Sequence, residues 1–485
     1  MSAPPQLKRA RDDTRPPGDD MPAAALPLDA HEGVPAIGIT GEHLAQAAVL
    51  VRSPLAGTIL QVALPAVASA LLMTVFTSVD AYWVGTRLGP VGLAAVSTSV
   101  FWVWMLVAMA EMVAVGLTAV AARRHGQHRP LEAGRAVGDA LLFALALGAG
   151  VAITGLLMLD WLFAVMNTPA EVSALGKRYL AVYLAGCPLI FGFFAIDAAF
   201  RAAGDTRTPF ILLAVSVAAA LVLDPVLILG LGPAPTLGIA GAAIATILTR
   251  GSVFIVGLAL LARRSMIRFA GPSGRAIPTI ARIGLPTAAT GIIFSMVYVL
   301  MTRTTTQFGT PALAALGIGH RVESWAYMVG VGFGAAAAAI VGQNLGAAQP
   351  GRAARTGWIT TGFASIVGVV AGVVEIVFAE EFASLFTDDP AVIALSASYL
   401  RICALSQAFV GAELVLEGAL GGAGHTLPPM LTSTTLTALR IPLAAWAAMR
   451  WGIDGIWWVI CLTATARGVA MMVLWRLGRW KRKSL

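Results

Sequence analysis

Gly204-Asp205-Thr206-Arg207-Thr208-Pro209 returns 220 residues later as Gly424-His425-Thr426-Leu427-Pro428-Pro429. Glycine, threonine and the final proline keep their places. The same offset carries Tyr179-Leu180 to Tyr399-Leu400, Ala94-Ala95 to Ala314-Ala315, and Gly89 to Gly309. Leu64-Pro65 returns as Leu285-Pro286 with one residue of slip. Matches of alanine or leucine are cheap in an apolar chain. A constant offset across tyrosine, glycine, threonine and proline is not, so the chain reads as two copies of one unit.

What the unit is follows from composition. The 485 residues are 58% hydrophobic and 12% charged, with mean hydropathy +0.81. Soluble chains carry roughly 25% charged residues, and a bilayer explains the deficit because lipid-facing side chains cannot be ionised cheaply. Apolar runs of span length (roughly 20 residues) fall at 57–83, 92–121, 137–161, 176–202, 209–231, 237–261, 279–305, 312–342, 357–379, 392–420, 428–449 and 454–475. The expected fold is all-α and polytopic: about twelve transmembrane helices in two six-helix lobes. Six is even, so both lobes enter from the same side and are parallel repeats about an axis along the membrane normal. The expected boundaries are a disordered tail over 1–52, lobes over 53–265 and 266–475, and a basic tail over 476–485. The first lobe is expected to begin at Ser53 as N-cap, with Pro54 at the first helical position.

Charge orients the spans. Alternate connections carry Arg123, Arg124, Arg129 and Arg135; Arg201 and Arg207; Arg263, Arg264, Arg268, Arg275 and Arg282; then Arg352 and Arg355. Arg476, Arg479, Lys481, Arg482 and Lys483 follow the last span, whereas the intervening connections hold the acids Glu380, Glu381, Asp388 and Asp389. Basic loops mark the cytoplasmic face, so both termini are expected inside. The net charge of +8 is that loop bias and not a nucleic-acid surface. Cys187, Cys403 and Cys461 lie in apolar runs and read as packing residues. No phosphate-binding glycine loop ends in Lys-Ser/Thr and no His-Glu-x-x-His occurs; His320 and His425 stand alone. An enzyme is not expected, nor any cofactor or metal.

Ionised carboxylates at a helix centre cost about 2.5–3.5 kcal/mol on insertion scales, so acids within spans carry function or find partners. Asp80 and Asp224 both fall in the outer half of the N-terminal lobe. Pro225 removes a backbone donor beside Asp224, and Pro65 is placed to bend the first helix. Two desolvated carboxylates close together would hold a proton near neutral pH; the bland reading is an interfacial Asp80 and a hydrogen-bonded Asp224. Asp197 and Glu417 correspond at the 220 offset, near a gate or in ion pairs with loop arginines. Arg321, Glu323 and Glu413 are candidates for the C-lobe cleft. Glu111 and Glu375 read most simply as buried hydrogen-bonding groups.

With these residues in place the chain resembles the multidrug and toxic compound extrusion (MATE) transporters, in their DinF-like bacterial branch. The resemblance runs from 57 to 475. It rests on Val79-Asp80 with Gly85 and Leu93-Ala94-Ala95-Val96; on Arg201 through Pro209; on Leu223-Asp224-Pro225 with Gly238 and Gly241-Ala242-Ala243; on Val341-Gly342-Gln343-Asn344-Leu345-Gly346; and on Gly418-Ala419-Leu420 leading to Gly424. It implies a monomeric antiporter that exports amphipathic organic cations against inward H+ or Na+ by alternating access. It also implies that Asp80 and Asp224 bind the coupling cation, with Thr246 as the polar residue of the sixth helix. Three departures stand out. Ala220 occupies the place of an asparagine common in the family, which favours protons over sodium. The seventh helix carries no acid, and His425 replaces the second turn's aspartate. The alternatives are a lipid-linked precursor flippase, whose central cleft would need to be cationic, and, less well supported, a membrane-embedded enzyme or channel.

Overall fold

A computed structural model of the chain describes residues 50–166, 169–231, 235–268 and 274–483, without the side chains of 79–82, 84–91, 93–94 and 97. Residues 1–49 of the expected disordered tail and the side chain of Asp80 therefore lie outside the described residues. Every regular element among those described is helical.

The spans are α1 (Leu55–Ser78), α2 (Thr98–Gly126), α3 (Pro130–Leu157), α5 (Arg207–Leu229), α6 (Ile239–Arg263), α7 (Ile277–Thr306), α8 (Thr310–Gly346), α9 (Pro350–Val377) and α10 (Pro390–Gly422). The fourth span, α4, is a pair of helices, Ala170–Ala185 and Cys187–Ala202, bent by 53°. The 51-residue run Leu427–Leu477 would be about 76 Å long if straight, at 1.5 Å per residue, more than twice a hydrocarbon core of about 30 Å. It breaks at Gly452, where φ is 61° and ψ −145°, a backbone that only glycine adopts without strain. Beyond the break the chain has reversed, since a Cβ on Gly455 would stand 2.6 Å from the Ala447 carbonyl oxygen. The run is thus α11 (427–451) and α12 (453–477), and the spans among the described residues number twelve.

α1 and α2 belong to one continuous helical run, Leu55–Gly126. Its two ends nonetheless meet the same place. Asn344 donates to the Leu50 carbonyl just before α1, and Gly126 at the end of α2 packs on the Gln343 backbone. The run therefore doubles back between α1 and α2. α1 opens one residue later than the sequence suggests: Pro54, not Ser53, is the N-cap, with no side-chain cap. Leu50–Arg52 is already helical.

The sequence repeat is a structural one. α3 and α9 begin 220 residues apart, at Pro130 and Pro350. The short helices Leu159–Val165 and Ala379–Ser384 follow them at the same offset. α4 breaks at Gly186 and α10 at a single 3-10 turn, Ala404–Ser406. Left-handed backbone recurs at His128 and Ala348, and at Gly204 and Gly424. Thr206 donates to the Val62 carbonyl at 2.9 Å and Thr426 to the Ile283 carbonyl at 2.7 Å. Each bond lands three residues before the proline of α1 or α7 and repeats the one-residue slip seen in sequence. Replacing either threonine with valine keeps the shape and removes one bond. Each variant is expected to lose about 1 kcal/mol, and the two by similar amounts in thermal unfolding; unequal losses would mean the bonds are not equivalent.

At the end of the molecule that carries these turns and most of the arginines, here the basic end, the halves interlock. Gly116 lies on the Ile280 carbonyl and Gly284 on the Met112 carbonyl, joining α2 to α7. Gly126, Gly342 and Gly346 join α2 to α8, and Gly332 packs on the Val67 backbone of α1. At each of these sites a Cβ would collide with the partner helix, so helix approach here depends on small residues. The core follows the interlock: Ile280 and Ile283 of α7 pack with α2, α3 and α4, while Ile59 and Val62 of α1 pack with Phe333, Val415 and Trp475.

Candidate functional site: a cleft with an acidic floor

The interlock ends partway up. α2 is exposed at Trp104 and Glu111, then carries no exposed residue from Met112 to Ala122. α8 is exposed at Arg321, Trp325 and Tyr327, then at none from Met328 to Gly346. The halves are shut at the basic end and part above it, so the floor of the cleft lies at the level of Glu111 and Tyr327. Glu111 was expected to be buried; it is exposed in the middle of a span instead, because its face of α2 borders the cleft.

Charges from both halves collect on this floor. Glu417, Glu413, Arg467 and Glu111 all act electrostatically on Tyr327, and Arg201 and Asp197 act on Glu111. Two carboxylates have arginine partners. Asp197 pairs with Arg201 at 2.7 Å, one turn on in α4. Glu413 pairs with Arg467 of α12 at 3.3 Å and accepts a hydrogen bond from Ser433 of α11. Glu111 and Glu417, one from each half, have no ion pair among the described residues. Arg250 also acts on Asp197 and Arg440 on Glu413, so the acidic character of the floor rests on Glu111 and Glu417. Arg467→Ala would strand a buried Glu413. It is expected to destabilise by about 3–5 kcal/mol, and Arg467→Lys by less, as read by thermal unfolding of the purified protein.

Arg321, Glu323 and Glu413 do not share one setting. Arg321 borders a hollow with Phe386 and Thr387 of the connection before α10. Glu323 belongs to a network inside the C-terminal half. Tyr399 donates to it at 2.7 Å, and the amide of Gln407 reaches both Glu323 (3.3 Å) and the buried Glu375 (3.2 Å). His320 stands 3.8 Å from Glu323. Glu375 is the buried hydrogen-bonded acid the sequence suggested.

In the N-terminal half Asp224 is fully buried. Gly241 of α6 meets Leu227 of α5. In antiparallel register that sets Asp224 opposite residue 244, within one turn of the buried Thr246. Thr246 itself donates to the Ala242 carbonyl at 3.1 Å. Pro225 lies inside α5, and Pro65 inside the helical run of α1.

Comparison with known proteins gives this architecture a family. The MatE family model matches residues 65–226 and 286–446, two segments that begin at the repeated prolines. The chain belongs to the MatE family. It is a multi-pass membrane transporter, not an enzyme. Among curated relatives, a probable multidrug resistance protein NorM of Thermotoga maritima is 29% identical over 88% of this chain and 93% of its own. An FAD transporter of Shewanella oneidensis is 26% identical over 88% and 95%. An outward-facing multidrug resistance MATE transporter of the MOP superfamily shares the fold, with a TM-score of 0.84 at 22% identity over 90% of this chain and 99% of its own.

Within this MATE chain the buried charges of Asp139 and Arg250 escaped the sequence reading. Arg250 of α6 is 5% exposed. It lies over the rings of Phe76 (5.4 Å) and Phe193 (4.8 Å) and donates through Nη2 to the Met73 sulfur. Its Nη1 has no hydrogen-bond partner among the described residues. Its mid-span position in Ile247-Leu248-Thr249-Arg250-Gly251 was the available signal. Gln407, Ser433 and Thr463 were also passed over, since uncharged polar residues are common in membrane helices.

Proposed function

We propose that this MATE transporter exports amphipathic organic cations in exchange for H+ (or Na+), alternating access between its two lobes in a bacterial inner membrane with the basic end cytoplasmic. The acidic floor carries the reading: Glu111 and Glu417 without arginine partners, beneath Trp104 on the same face of α2 as Glu111, suit a flat cation. The closed basic end is then the outward-facing state. Asp224 and Asp80, with Thr246, bind the coupling cation. Asp197, Glu413 and Glu417 lie where the lobes must part, and Pro65 and Pro225 weaken the two helices that bear the N-lobe carboxylates.

A lipid-linked precursor flippase is the poorer reading, because an anionic phosphate would meet Glu111 and Glu417, which have no ion pair among the described residues. One observation does favour a second cargo class. Arg250, held against two phenyl rings, suits an aromatic anion, and one relative is named an FAD transporter. Reconstituted liposomes loaded with either an amphipathic cationic dye or a flavin nucleotide test the choice. The cation reading expects gradient-driven movement of the dye alone, weakened by Glu111→Gln with Glu417→Gln. Movement of the flavin alone, lost in Arg250→Gln, would overturn it.

A further inference from the structure

The repeat breaks its symmetry at one charged spot. In the N-terminal turn, Asp205 accepts from the Arg207 and Thr208 backbone amides and pairs with Arg264 at 2.8 Å. The basic residues that close that lobe are thus neutralised from within. In the C-terminal turn the corresponding residue is His425, and Arg263-Arg264 correspond to Lys483-Ser484. Burial, then the charges of Lys483 and Arg479, hold His425 below the usual histidine range, so near neutral pH it brings no charge of either sign. The chain after α12 does not run free. Gly478 turns it through a left-handed conformation into a 3-10 hook, Arg479–Arg482. Trp480 is fully buried, stacked on Trp475 at 3.9 Å. The hook reaches the other lobe, where Arg123 donates to the Lys483 carbonyl at 2.7 Å. Arg479, Lys481, Arg482 and Lys483 are all exposed. None has a carboxylate partner among the described residues, and three described acids at this end are taken up: Glu132 by Arg124 and Arg129, Asp139 by the Ala276 amide, Asp205 by Arg264.

We propose that the hook, with Arg123 beside it, is a docking site for the phosphate headgroup of an anionic phospholipid. The occupant is a lipid and not a free phosphate because the hook begins two residues after the last span ends at Leu477, where the chain passes from hydrocarbon to headgroups, and the buried Trp475–Trp480 stack holds it against that helix end. Basic clusters directly after a span gain about 1 kcal/mol per Lys or Arg from an anionic surface, and removing an internal carboxylate leaves that attraction uncompensated. A headgroup held there would touch both lobes and favour the closed basic end. The inference needs the chain to span a bilayer; it does not depend on what the transporter carries.

The full-length protein in neutral detergent is titrated with phosphatidylglycerol, phosphatidylcholine or inorganic phosphate, and thermal unfolding is followed. Phosphatidylglycerol alone is expected to raise Tm, and 0.5 M salt to erase the rise by screening. Arg479→Gln with Lys483→Gln is expected to weaken the apparent lipid affinity by about 25-fold, or fivefold per charge. His425→Asp, which restores an internal acid, is expected to blunt the rise with the native Tm in phosphatidylcholine retained. That Tm also reports that each variant is folded. Equal effects of the two lipids, a full response to inorganic phosphate, or an unchanged response in the double variant would overturn the proposal.

Discussion

Asp224→Asn is expected to reduce gradient-driven transport at least about 100-fold while the protein still inserts and unfolds cooperatively. Asparagine matches the shape of the carboxylate and cannot exchange a proton at working pH. In a buried setting it also avoids the cost of an ionised carboxylate in a span, several kcal/mol, so stability is expected to hold or rise. Activity and stability then move in opposite directions, which a merely structural aspartate would not do. The measurement is dye extrusion from proteoliposomes beside thermal unfolding of the same preparation. Parallel losses in both would assign Asp224 to packing. Asp80→Asn is expected to behave likewise, and Thr246→Val to lose less, since it removes a ligand and not the charge.

Gly284→Ala and Gly346→Ala are expected to be the most damaging substitutions outside the charged groups. A Cβ at Gly284 runs into the Met112 carbonyl, and one at Gly346 into the Arg123 carbonyl. Both obstacles are helix backbone and cannot rotate away. Overpacking costs about 1–3 kcal/mol, and here the cost falls on the state with the basic end closed. The equilibrium should shift toward basic-end opening by roughly 5- to 150-fold per site. Cys187, Cys403 and Cys461 are buried, so one reporter cysteine below the floor, at Val115 within the interlock, can be read by a membrane-impermeant thiol reagent. Labelling from the basic side is expected to rise sharply in either variant. Gly362→Ala, where a Cβ meets nothing within 4 Å, serves as the neutral control. Unchanged labelling would mean the interlock is not a closed gate.

The architecture was legible because it rests on features that sequence carries directly. Apolar runs of span length gave the helices, and a fixed offset across rare residue types gave the duplication. The offset is visible again in the backbone, down to the left-handed turns at His128 and Ala348. What sequence did not carry were contacts between spans. Glu111 looked buried because its helix neighbours are apolar, whereas its exposure depends on where α8 leaves α2. Arg321, Glu323 and Glu413 are close in kind but part into three settings, because α8 and α10 present them on different faces. Arg250 was missed because an arginine in an apolar helix gives no hint of the two phenyl rings beneath it. The pairing of Asp197 with Arg201 was legible, being one turn apart on one helix. The pairing of Glu413 with Arg467 was not, being 54 residues apart in sequence.

The central claim is exchange, cargo in one direction and a cation in the other through one cleft. It is tested most directly in sealed proteoliposomes loaded with the cationic dye, with no imposed pH or sodium gradient and a pH indicator in the lumen. As dye leaves down its own gradient, the account predicts that the lumen acidifies, and that Asp224→Asn abolishes both dye loss and acidification. If sodium is the coupling ion, the same experiment in sodium buffer shows sodium entry in place of acidification. Dye leaving through the wild-type protein with neither protons nor sodium entering would contradict the account.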